Sequence, residues 1–181
     1  DEILIVLLLV ISAPVTSIVG GKTYIMIRYE NQIAGHTAGF EIAPRLTLAS
    51  WWRLDTNYSF VSSDFSANGP TADISSSGSV TTYEKSTPRH MVSLQSKMDL
   101  PYKLQFDQMY RFVSELPAQK APAYQTMDLH LGRPLGGGFA LEMVGQNLFQ
   151  NHHVEWGTGD PNQPPVGIYR AGYLRLSYGG H

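Results

Sequence analysis

Hydrophobic and polar positions alternate with a period of two through most of this chain. The clearest case is a pair of runs, residues 123–133 and 139–149, separated by Pro134-Leu135-Gly136-Gly137-Gly138. In the first run Met127, Leu129 and Leu131 fall on one face, and Thr126, Asp128 and His130 on the other. In the second, Phe139, Leu141 and Met143 oppose Ala140, Glu142 and Gln146. Successive Cβ atoms leave a strand on opposite sides, so alternation bounded by Gly and Pro predicts a β-hairpin.

The same pattern recurs along the chain. Phe40, Ile42, Leu46 and Leu48 oppose Glu41, Arg45 and Thr47; after a short connection at 49–52, Leu54, Tyr58 and Phe60 oppose Arg53, Asp55, Asn57 and Ser59. Val92, Leu94 and Met98 alternate with Ser93, Gln95, Lys97 and Asp99. A tight turn at Leu100-Pro101-Tyr102 leads to Leu104, Phe106, Tyr110 and Phe112, set against Gln105, Asp107 and Arg111. The last strand places Leu174, Leu176 and Tyr178 against Tyr173, Arg175 and Ser177. Residues 22–35 read as a loop with some strand character, and the Ser-rich tract 62–87, with Asn68-Gly69-Pro70, as a large loop. Loops are also predicted at 114–122 and 150–168. No stretch carries a capped helical stripe. The expected fold is all-β, an antiparallel up-and-down meander of about eight strands. Its short turns (49–52, 101–103, 134–138) all fall at one end of the sheet and its long loops at the other. Residues 3–11 form a nine-residue apolar run. A membrane helix needs about 20. The run has the length of a signal-peptide core but is flanked by Asp1-Glu2 with no basic residue, so it predicts a strand buried on both faces or the ragged start of a truncated chain.

Composition decides which face meets water. Charged residues are 15 % and aromatics 11 %, with 17 Gly and 11 Pro spread as punctuation. The charged share falls below the roughly 25 % of average soluble proteins. A net charge of −2 argues against a nucleic-acid partner, and the absence of Cys excludes disulfides and thiolate metal sites. The predicted strands run to about ten residues, the length a tilted transmembrane strand needs, where soluble strands average about five or six. Trp51, Trp52, Tyr58, Phe60, Tyr102, Phe112, Tyr124 and Phe149 crowd the predicted strand ends, as the girdles of a membrane barrel do. One face carries Glu41, Arg45, Arg53, Asp55, Lys97, Asp99, Asp107, Arg111, Asp128, Glu142 and Arg175, while the other carries almost no charge. A hydrated lumen tolerates such a face, and hydrocarbon demands the other. The expectation is a partial, or small closed, transmembrane β-barrel.

The order of several short segments resembles the late barrel strands of TonB-dependent outer-membrane receptors. They are Gly35-His36-Thr37-Ala38-Gly39-Phe40-Glu41, Trp52-Arg53-Leu54, Pro88-Arg89-His90, Asp99-Leu100-Pro101, Leu116-Pro117, Ala121-Pro122-Ala123-Tyr124-Gln125-Thr126-Met127-Asp128-Leu129 and Val144-Gly145-Gln146-Asn147-Leu148-Phe149. The resemblance spans roughly Glu30 to Tyr178. It implies a Gram-negative outer-membrane location, contact with membrane lipid, and a parent importer of an iron–siderophore complex or similar scarce chelate. That family closes about 22 strands around an N-terminal plug and engages the TonB energy-transducing complex. Residues 1–181 therefore read as a C-terminal barrel segment without the plug, a fragment that transports nothing alone. Family members also end on an aromatic residue; here Tyr178 is followed by Gly179-Gly180-His181. Two other architectures fit the alternation: a self-contained eight-stranded outer-membrane barrel, structural or enzymatic, and a soluble lipocalin-like ligand-binding barrel with its polar face outward. The self-contained barrel requires its first and last strands to pair, whereas the fragment leaves 3–11 and 169–178 as open edges.

Candidate chemistry is sparse, and no catalytic, cofactor or metal residue is assigned. His152-His153-Val154-Glu155 has metal-ligating residue types, but adjacent His residues on extended backbone diverge and no third ligand stands at usable spacing. Asp128 and His130 share a strand face about 7 Å apart, and read as lumen-facing polar residues that bond across strands. No Ser lies in a Gly-x-Ser-x-Gly context, and Gly136-Gly137-Gly138 lacks the Lys-Ser/Thr of a phosphate loop. The Asn57-Tyr58-Ser59 sequon sits in mid-strand. The sequence reads as a wall, not an enzyme.

Overall fold

The computed structural model describes residues 4–11, 15–20, 22–26, 29–67, 80–157, 165 and 167–179. Its strands are β1 (Leu4–Ile11), β2 (Val15–Val19), β3 (Lys22–Met26), β4 (Tyr29–Ile42), β5 (Arg45–Ala49), β6 (Trp52–Ala67) and β7 (His90–Leu100). They continue with β8 (Leu104–Val113), β9 (Tyr124–Gly136), β10 (Phe139–Gln146), β11 (His152–Val154), β12 (Gly167–Tyr169) and β13 (Ala171–Tyr178). Eight strands make one antiparallel ladder in the order β1-β4-β6-β7-β8-β9-β10-β13, with β5 added against β6. The predicted all-β meander is the observed fold. Among the described residues the ladder has two ends, β1 and β13, each with one partner strand.

The chain forms two compact units, Asp1–Phe40 with Val61–Thr87, and Glu41–Phe60 with Pro88–His181. In the first, β1 pairs with β4 and β2 forms a hairpin with β3. Ile33 on β4 is fully buried, and two residues on Gly35 lies against β6 so closely that a Cβ there would strike the Asp64 carbonyl and the Phe65 side chain. The Thr37 and Ser63 hydroxyls meet at 3.0 Å. The Phe65 N–H donates to the Glu84 carboxylate at 2.8 Å, tying β6 to a helical turn at 80–84.

These contacts explain two departures from the sequence reading. The period-two pattern inverts after Phe60, where the apolar Val61 and Phe65 stand at odd-numbered positions, so side-chain patterning marks an end there. The backbone nevertheless continues as β6 to Ala67, and part of the expected 62–87 loop is strand. Likewise, within the 22–35 stretch expected as a loop with some strand character, residues 22–26 and 29–35 are strand, sustained by hairpin and ladder pairing. The first apolar run is indeed a strand, β1; its burial concerns side chains outside those described.

In the second unit β6, β7, β8, β9 and β10 follow one another through tight turns and loops, and β13 completes the path against β10. The expected single run at 40–48 is broken at Ala43-Pro44, because Pro44 has no N–H to give; its carbonyl instead accepts the Thr56 N–H at 3.0 Å. Turns at 50–51, 101–103 and 137–138 share one end. The last of these is tighter than the expected 134–138 break, since Gly136, Gly137 and Gly138 all adopt positive φ (90°, 61° and 83°), which residues with a Cβ rarely reach. At the opposite end the 150–168 loop contains the small β11–β12 hairpin.

Among the described residues the second unit has no dry centre of aliphatic side chains. Across all described residues the buried hydrophobics are Ile33 and Ala121. Ile42, Leu46, Leu48, Leu94, Phe139, Leu141, Met143, Leu174 and Leu176 stand exposed, and the ladder register places Leu46, Leu94, Phe139, Leu141, Met143, Leu174 and Leu176 on one face. Full burial of such a side chain is worth about 1.5–3 kcal/mol, so leaving nine of them half exposed to water forfeits on the order of 10 kcal/mol, about the net stability of a whole domain.

Gly35 and Gly172 make a test of the packing. Gly35→Val should lower unfolding stability by about 1–3 kcal/mol through overpacking against β6, read as a shifted urea midpoint. Gly172→Ala, whose added Cβ meets nothing nearer than the Val144 carbonyl at 3.5 Å, should move that midpoint by less than about 0.5 kcal/mol.

Candidate functional site

The polar face of the second unit carries an ordered series of charges that runs across the strands. At one side the Arg45 Nε on β5 donates to Asp55 Oδ1 on β6 at 2.6 Å, and Asp55 Oδ2 lies 4.0 Å from Lys97 Nζ on β7. Lys97 stands directly opposite Asp107 on β8. Asp107 Oδ2 is 3.3 Å from His130 Nδ1 on β9, and His130 Nε2 is 3.6 Å from Glu142 Oε2 on β10. Glu142 then accepts from Arg175 Nη2 on β13 at 2.7 Å. Three cations and three carboxylates alternate, with His130 between two carboxylates. The series steps diagonally by two residues at β6–β7 and again at β9–β10, because Asp55 is registered with Gln95 and Glu142 with Gly132. Gly132 makes the second step possible. The His130 ring lies over it, and a Cβ there would sit 3.1 Å from that ring.

Exposure does not follow polarity across the two faces. The Glu142 side chain is 22 % exposed, whereas Leu174 on the adjacent strand is 71 % exposed. Partly exposed pairs such as Arg45–Asp55 are worth about 0–1 kcal/mol each, so the ladder adds little stability. What it does is present a hydrated wall on which positive and negative charge are balanced and held in fixed positions.

A second cluster closes the long-loop end. Asp128 on β9 takes two partners: Arg111 Nη2 at 3.3 Å through Oδ2, and the Asn147 N–H at 2.9 Å through Oδ1. Asn147 adopts φ 55°, a left-handed conformation that Asn tolerates better than most residues, and its Nδ2 donates to the Tyr169 carbonyl at 3.0 Å. The Leu148 N–H donates to the Met127 carbonyl, and the Leu148 side chain folds back over Gly145. These contacts give the Gly145-Gln146-Asn147-Leu148 segment a physical role: Gly145 leaves room for Leu148, and Asn147 turns the chain. They also end β10 at Gln146, three residues before the expected end of the run.

The paired histidines separate as extended backbone requires. His152 is exposed with its ring 5.7 Å from Tyr169; His153 is buried, stacked on Tyr124 at 4.4 Å, with its Nε2 3.0 Å from Glu155 Oε1. Buried Gln119, Ala121 and Thr126 complete this packed end, so 114–121 is an ordered loop closed by a bridge between Leu116 and Ala121. Asp128 and His130 do share a face, yet each belongs to a different network: Asp128 to Arg111 and Asn147, His130 to Asp107 and Glu142. Among the described residues no three His, Asp or Glu side chains gather as a metal site. The sequence reading missed the lateral charge series, because its members lie on seven separate strands and only the register joins them.

Replacing Asn147 separates its two roles. Asn147→Gly keeps the left-handed turn and loses the bond to Tyr169, whereas Asn147→Ala loses both. Amide hydrogen exchange across 147–157 should quicken in each, more in the alanine variant by a further ~1 kcal/mol of local opening free energy. No family model, curated protein or solved structure matches the chain, so its function is to be read from its own residues and their geometry.

Proposed function

We propose that this chain is the C-terminal barrel wall of a TonB-dependent outer-membrane receptor, a Gram-negative importer of an iron–siderophore complex or similarly scarce chelate. The observation that carries the reading is the division of the sheet into an exposed aliphatic face and an opposite face of balanced, interlocked charge. Water penalises the first and hydrocarbon excludes the second, so a wall between lipid and a hydrated lumen is the arrangement that satisfies both. No helix among the described residues is long and apolar enough to cross a membrane; the crossing elements in this proposal are the strands. Aromatic contacts lie toward both ends of the second unit. Trp51 stacks on Trp52 at 5.9 Å and Phe139 meets Tyr178 at 4.8 Å toward the short turns, while Tyr110 meets Phe149 at 6.1 Å toward the long loops.

Within the parent receptor, this wall acts by lining the lumen and meeting the plug, and the TonB complex supplies the energy. The charge ladder gives the plug side a surface without net attraction for either sign. The chain performs no covalent chemistry in this reading. A self-contained outer-membrane barrel is the second reading, favoured by the ladder's strand number, since about eight strands leave an interior that side chains can fill.

The coding frame upstream of Asp1 distinguishes the two. Several hundred codons that specify a plug-like domain, together with chelate uptake that stops when the energy-transducing partner is deleted, are the expected result. A start codon and leader immediately upstream would overturn the receptor reading in favour of the small barrel.

A further inference from the structure

On the apolar face, β9, β10 and β13 enclose a hollow of about 670 Å³ walled by Phe106, Leu129, Leu131, Met143, Leu148 and Leu174. Its floor is set by two glycines that stand opposite one another in the register, Gly145 and Gly172. With no side chain on either, the face dips where neighbouring rungs carry Met143 with Leu174 and Leu141 with Leu176. Toward the short-turn end the same face of β9 carries Arg133, opposite Leu141. Arg133 is the one charged residue on this face of β8, β9, β10 and β13, and among the described residues it has no ion-pair partner. It lies four residues from Leu129, about 13 Å along the strand. An unpaired guanidinium at the edge of an apolar hollow fits a ligand with an anion at one end and a hydrocarbon chain at the other.

We propose that this hollow is a specific phospholipid site, with one acyl chain lying over Gly145 and Gly172 and the phosphodiester held by Arg133. The proposal rests on the membrane reading above and adds a position and a headgroup contact to it. The guanidinium reaches the phosphate bidentately while its methylene stem stays on the apolar surface beside Leu131 and Leu141. Among the described residues the rest of the apolar face has no such combination. Leu46 and Leu48 are as exposed as Leu141, but they flank no glycine pair.

The test uses the full chain reconstituted in bilayer nanodiscs doped with phosphatidylethanolamine bearing a photoactivatable group on one acyl chain, with adducts mapped by peptide mass spectrometry. Labelling should concentrate at Leu131, Met143 and Leu174, at least several-fold above Leu46 and Leu48. Arg133→Ala should weaken that preference roughly tenfold, the loss of one charge-assisted contact. Gly172→Leu, which fills the hollow without a backbone clash, should abolish it while insertion persists. Insertion with labelling spread evenly over the apolar face, or unchanged in both variants, would overturn the lipid site and leave the membrane reading standing. Failure of the unsubstituted chain to enter the bilayer would overturn both.

Discussion

Each strand of the second unit has to satisfy two environments at once, because its side chains leave alternately to opposite sides and neither side is covered by another layer of protein among the described residues. In a soluble two-layer domain the aliphatic side would close on a second sheet or a helix. Here Leu46, Leu94, Leu141, Leu174 and Leu176 have no such cover. The free energy forfeited by leaving them in water is comparable to the net stability of a domain. Each inner strand of the ladder pairs with a neighbour on both sides, and only the edges, β1 and β13, have a single partner among the described residues, so the inner strands need nothing from a solvent that offers no hydrogen bonds. The apolar face and the ladder are therefore two parts of one solution.

The charged face follows from the same constraint. Were it to pack against hydrophobic protein, each carboxylate and guanidinium would pay desolvation; left hydrated, the members remain partly exposed and neighbour opposite charges. The diagonal run from Arg45 to Arg175 needs Gly132, which lets His130 lean toward Glu142 rather than straight across to Val144. At the long-loop end, where strands give way to loops, packing becomes ordinary. Gln119, Ala121, Thr126, Asn147 and His153 are buried there, and the irregular backbone finds its partners in Asp128, Tyr169 and Met127.

Much of this was legible in the residues, for a physical reason. Where period-two alternation is clearest, as at 92–99, 104–112 and 126–131, the strands and the faces expected for their apolar and charged residues hold, although β9 runs on to Gly136 through part of the expected 134–138 break. Alternation fails as a guide where pairing rather than side-chain partition sustains the strand. Residues 61–67 invert the pattern yet extend through contacts with β4, and Pro44 splits a run that patterning joins. Tyr58 and Phe60, expected at a strand end, lie within β6 because that strand runs on to Ala67, although Phe60 is level with His90 at the start of β7. The separation of His152 from His153 was readable from extended backbone alone. The lateral ion series was not, because Asp55, Lys97, Asp107, His130 and Glu142 become neighbours only once register is fixed. The glycines at 132, 145 and 172 read as mere interruptions until their opposite residues were known.

The central claim is that the aliphatic face meets acyl chains and the charged face meets water. Single tryptophans at Leu141 and at Ala140, adjacent positions on opposite faces of β10, test it most directly in a background with Trp51, Trp52 and Trp156 replaced by Phe. In vesicles of lipid brominated on its acyl chains, fluorescence from Leu141→Trp should be strongly quenched and that from Ala140→Trp spared, with aqueous iodide giving the reverse. Quenching of the Ala140→Trp fluorophore by brominated lipid, or of neither fluorophore, would contradict the account.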